Sequence, residues 1–62
     1  MNTNTITALT NLYKLRTGLI ADQHAAMRAG DVDTVHHLFD AIGYATLAID
    51  AITDVILGTN AK

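Results

Sequence analysis

The chain has 62 residues, half of them hydrophobic, with four Lys or Arg, six acids and a formal net charge of −2. That length allows one domain at most, and one so small is marginal unless a disulfide, a metal, oligomerisation or very regular helix packing supports it. Cysteine is absent, which excludes disulfides, thiolate zinc sites and thiol catalysis.

Proline, serine, glutamate and tryptophan are also missing. Without proline nothing in the chain forbids long helices. All the acids are Asp, a weaker helix former than Glu, so helices here depend on packing more than on propensity. The composition is too apolar for a disordered chain. Met1 to Thr5 lack the cationic and apolar stretches of a signal peptide, and the expected location is cytoplasmic.

The first helix is expected from about residue 5 to residue 29, with Asn4 or Thr5 as an acceptable cap. Its apolar face is broad. Ile6, Leu9, Tyr13, Ile20 and Met27 form one stripe, Leu12, Leu19 and Ala26 lie beside it, and Ala8 and Leu15 sit further round. Together they span about half the circumference, wider than one partner helix covers. Arg16 and Gln23 interrupt the middle of that arc, one heptad apart. Such residues fix register and dimer geometry as a polar layer, or form a buried recognition site for a carboxylate or amide; the first role is the commoner.

Residues 30–31 read as a turn. Gly30 suits the left-handed position that closes a helix, and Asp31 suits the cap of the next. Arg28 before the turn and Asp33 after it complement the two helix dipoles. A turn this tight makes the flanking helices antiparallel neighbours.

The second helix is expected over about 32–57, ended by Gly58, with 58–62 a fraying tail. Val35, Leu38, Ile42, Ala45, Ile49, Ile52 and Ile56 follow at spacings of three and four and define one face. Ala41, Ala48 and Val55 widen that face on one side and Phe39 on the other. The stretch 38–57 is apolar enough to suggest a membrane span, but Asp40, Asp50 and Asp54 would each cost about 2.5–3.5 kcal/mol near a bilayer centre. A membrane is therefore not an expected partner.

The expected fold is all-α: an antiparallel two-helix hairpin dimerising into a four-helix bundle. Its seam comprises Leu12, Arg16, Leu19 and Gln23 with Val35, Leu38, Ile42, Ala45, Ile49, Ile52 and Ile56. Basic residues concentrate on the first helix and acids on the second, which favours antiparallel docking. In size and layout, though in no motif, this resembles the helical-hairpin dimers of small plasmid-copy-control proteins.

Off the seam, Tyr44, Leu47 and Ala51 lie three and four apart, with His37, Asp40 and Asp54 among them. They form a partner-binding strip with Tyr44 as aromatic anchor, or they pack on a second hairpin, or they are ordinary exposed residues. Gly18 and Gly43 fall near the same level of the hairpin, where glycine permits close approach of another chain or is merely tolerated.

His24 and His37 are expected at one level, and His36 and Asp40 form an i, i+4 pair. His36 and His37 diverge by about 100° on a helix, and no His-x3-His spacing occurs, so no metal and no cofactor are expected. No Ser or Cys nucleophile and no glycine-rich phosphate loop is present, and an enzyme is not expected. The expected function is that of a small protein-binding regulator, adaptor or inhibitor acting as a homodimer. A virus-encoded protein that blocks a host protein is one such context. A structural unit building a higher homo-oligomer is the alternative. A weak nucleic-acid binder using Lys14, Arg16 and Arg28 comes third, because four scattered cations make a poor footprint.

Overall fold

Gly30 determines the layout. It takes φ 70°, the left-handed conformation that glycine adopts without a Cβ clash. Its amide donates to the Met27 carbonyl at 3.1 Å, and the Asp31 amide reaches back to the Ala26 carbonyl at 3.0 Å. These two bonds close the first helix, α1 (Thr3–Ala29). The second, α2 (Val32–Ala61), starts at once. The Asp31 carboxylate accepts from the Thr34 amide at 3.2 Å and the Thr34 hydroxyl at 2.6 Å, satisfying a free donor of its first turn. Both bonds favour the charged form and hold the Asp31 carboxyl below the ordinary carboxylate range, the hydroxyl bond contributing most.

The structure is a computed structural model that describes the backbone of residues 3–61 and the side chains of residues 3–58. It is an all-helical hairpin of 47 × 18 × 11 Å. α1 begins at Thr3, two residues before the expected start. α2 does not stop at Gly58 but runs on to Ala61, because Gly58 keeps a negative φ and no proline follows. Lys62 and the side chains of the expected tail lie outside the described residues.

Among the described residues the core is small. Ala26 and Ala45 are buried, and Ile49, 2% exposed, is the most enclosed. Leu12, Leu19, Val35, Leu38, Ile42, Ile52 and Ile56 are half-buried along the same seam. Each helix thus lends two heptad rows to the other, the most that one antiparallel neighbour covers.

The broad arc of α1 is divided accordingly. Leu9 lies in the seam, but Ile6, Tyr13, Ile20 and Met27 are exposed. These four repeat every seventh residue, one position beyond the rows that α2 covers, so they share a flank of the hairpin and not its core.

Arg16 and Gln23 are both half-buried in the seam and both bond across it. Arg16 Nη1 donates to Thr46 Oγ1 at 3.3 Å, and its guanidinium lies 5.2 Å from the Tyr13 ring centroid. Gln23 Nε2 donates to the Val35 carbonyl at 3.4 Å. The bonds are long, and each is worth about 1 kcal/mol or less. They pin the register of α1 against α2 within a single chain.

A candidate docking surface on the outer face of the second helix

The exposed side of α2 carries a group of large side chains. Phe39 is 69% exposed, Tyr44 73% and Leu47 64%. Helical geometry explains the grouping. Residues 39, 43 and 47 follow at i, i+4, i+8 along one line, and Tyr44 stands beside it. The middle of that line is Gly43, which has no side chain. A Cβ built there would meet nothing within 4 Å, so the gap opens to solvent.

The result is a hollow of about 470 Å³ lined by Phe39, Asp40, Gly43, Tyr44, Thr46 and Leu47. Its walls are mostly apolar. Asp40 places one exposed carboxylate on its rim, and the Thr46 hydroxyl is engaged already, donating to the Ile42 carbonyl at 2.9 Å and accepting from Arg16. Gly43, with no side chain, leaves the hollow open to solvent between its apolar walls.

Three of the six residues expected on the strip meet here: Asp40, Tyr44 and Leu47. His37, Ala51 and Asp54 are exposed but do not line the hollow. Phe39, expected to widen the seam, instead forms one wall. The signal that finds it is the spacing of Phe39, Gly43 and Leu47, two large apolar residues four positions either side of a glycine.

The other candidate groups stay apart. His24, His36 and His37 are all exposed. Among the described residues no three His or Asp side chains are placed to share a metal ion. A second hollow, of about 280 Å³, lies at the turn between Met27, Gly30, Asp31, Val32 and Val35.

By length and composition α2 could also cross a membrane: an 18-residue window within Val32–Gly58 reaches a mean hydropathy of 1.5, and only 11% of that window is buried. No family model, curated protein or solved structure matches the chain.

Proposed function

We propose that this chain is a small non-catalytic regulator or adaptor that acts as a homodimeric four-helix bundle in the cytoplasm and binds another protein through the outer face of α2. The observation that carries the reading is the hollow between Phe39, Tyr44 and Leu47. Large exposed apolar groups clustered around a mid-helix glycine resemble the centre of a binding site more than a solvated face, where such residues occur singly. Aromatic side chains with few rotatable bonds also make efficient anchors.

The hollow's chemistry suits an apolar side chain of the partner flanked by a cation for Asp40. An inhibitor would work by occupying such a surface. Four Asp on α2 (Asp33, Asp40, Asp50 and Asp54) are exposed and oppose both a lipid surface and nucleic acid.

The experiment is affinity capture on the wild type, Tyr44→Ala and Leu15→Ala in parallel. Leu15 is exposed on another part of the hairpin. The expected result is one protein lost with Tyr44→Ala and retained with Leu15→Ala. Vesicle flotation of the wild type with no protein captured would overturn the reading in favour of membrane association through α2.

A second reading is an assembly unit of a higher homo-oligomer. It is favoured by the apolar flank of α1, where Ile6, Tyr13, Ile20 and Met27 are all exposed. Mass measurement separates the two: a dimer supports the regulator, whereas rings or filaments support the assembly unit.

A further inference from the structure

The hairpin has more surface than a finished protein of its mass. Folded monomers follow an area law that gives about 3,900 Å² for this chain. The hairpin exposes 4574 Å² at 6.6 kDa. The excess, about 700 Å², is close to the roughly 800 Å² that each partner contributes to a standard interface.

One flank has the length and chemistry to account for it. Ile6, Tyr13, Ile20 and Met27 form a row on α1, exposed over about 32 Å of helix. In an antiparallel pair, positions equally far from the turn lie level. That sets Met27 beside Val32, Ile20 beside Phe39 and Tyr13 beside Thr46, all on the same side. The hollow lined by Met27 and Val32 joins the two rows at the turn, and the Arg16 contacts to Tyr13 and Thr46 join them at mid-length. Neither row contains a charged residue. The opposite flank differs: Ala8, Ala41 and Ala48 are small and half-buried, Asp22 interrupts it, and its two exposed large residues, Leu15 and Val55, lie at different levels and form no continuous row.

We infer that a second copy of this chain covers the flank of Ile6, Tyr13, Ile20, Met27, Val32 and Phe39, with a two-fold axis along the hairpin and both turns at the same end. This rests on the homodimer proposed above and assigns its interface. An axis so placed keeps levels and exchanges helices. Each Met27 then meets the partner's Val32, each Ile20 the partner's Phe39, and each Tyr13 the partner's Thr46. Large side chains oppose large ones at the turn end, and the threonines of α2 accommodate the bulkier row of α1. The arrangement also sets the basic helix against the acidic helix at every contact. Phe39 and Thr46 belong to both surfaces, so the dimer covers one side of the α2 hollow, and its other side, at Asp40, Gly43, Tyr44 and Leu47, stays free for the other partner.

The absence of cysteine permits a direct test with single-cysteine variants of the full chain. Sedimentation of the wild type is expected to give twice the 6.6 kDa chain mass. Ile20→Lys is expected to raise the dimer dissociation constant about 30-fold or more, and Leu15→Lys to leave it unchanged.

Should Ile20→Lys unfold the chain, alkylation rates decide. Met27→Cys becomes protected as concentration rises through the dimer transition, while Leu15→Cys reacts freely throughout. Spin labels on Asp33→Cys report a separation well short of the 47 Å hairpin length. A dimer that protects position 15 and not position 27, or labels separated by the full length, overturns this interface and leaves the homodimer standing. A folded wild-type monomer at high concentration overturns both, as does a monomer that partitions into vesicles.

Discussion

Gly43→Ala, paired with Gly18→Ala, separates stability from function on α2. Both glycines lie in helix interiors, are exposed, and have open space where a methyl group would go. Glycine costs about 1 kcal/mol against alanine at such a position through backbone entropy alone. Each substitution should therefore stabilise the hairpin by about 1 kcal/mol, or about 4–8 °C in midpoint for a domain this small. Urea unfolding followed by helical circular dichroism measures it, at one chain concentration because dimerisation feeds into apparent stability. The two variants part company in binding. The new methyl at position 43 enters the hollow between Phe39, Tyr44 and Leu47, whereas that at position 18 touches nothing. Gly43→Ala should thus be more stable yet capture less partner, and Gly18→Ala more stable with capture intact. Destabilisation by Gly43→Ala alone would mean that the outer face of α2 is covered in the folded protein, which refutes its assignment as a free docking surface. Added stability with undiminished capture would refute the hollow as the site.

The remaining expectations concern the hairpin itself. Ile49→Ala should cost about 2–5 kcal/mol, enough to leave a chain this small largely unfolded in a thermal melt, while Leu47→Ala changes stability little. Gly30→Ala forces a Cβ into the left-handed region and should cost about 1–2 kcal/mol by the same melt. The Asp31 carboxyl has a lowered folded pKa, so its cap contributes at neutral pH and is lost as pH falls through that folded value, below about pH 4. A stability titration should show this step in the wild type and a flatter curve in Asp31→Asn, which keeps an uncharged acceptor.

How much of this was legible in the sequence depended on how many conformations each residue permits. Ala29-Gly30-Asp31 admitted one reading, because a left-handed glycine and a capping carboxylate in succession suit little else, and the turn lies there. The α2 seam was legible for a similar reason: its large aliphatics recur without a competing phase. α1 was harder. Apolar residues cover half its circumference, and any adjacent pair of rows could have faced α2. The expected seam of Leu12, Arg16, Leu19 and Gln23 does face α2, but Thr46 and the Val35 carbonyl, which receive Arg16 and Gln23, belong to the other helix, so the α1 pattern alone could not name those partners. Gly58 failed as a stop signal because glycine tolerates a helix as well as a left-handed turn, and only its surroundings decide. Phe39 alone reads as an edge of the seam, and Gly43 alone as a point of close approach or a tolerated glycine. Their joint role needed the spacing to be read outward from the glycine and not inward from the seam.

Arg16 bears on why the flank should accept one register of a second copy and no other. A guanidinium has five N–H donors, and within the hairpin one long bond to Thr46 and a ring contact engage it. An apolar surface sliding over it would strand the rest, at a cost of several kcal/mol for a charge enclosed without partners. Registers that place Ile6 or Met27 of a second chain over Arg16 are penalised in this way. The register with turns together brings the partner's Thr46 to the Arg16 level. That hydroxyl, having accepted one bond, has a second lone pair to offer. Two arginines and two threonines then close a polar layer across an otherwise apolar interface, a device that trades stability for uniqueness. Arg16→Met removes the penalty in every register at once. The variant should melt higher than the wild type and broaden from a single dimer into a mixture of species in light scattering. A lower melting point with an unchanged, uniform dimer would show that Arg16 stabilises the hairpin and plays no part in choosing how copies meet.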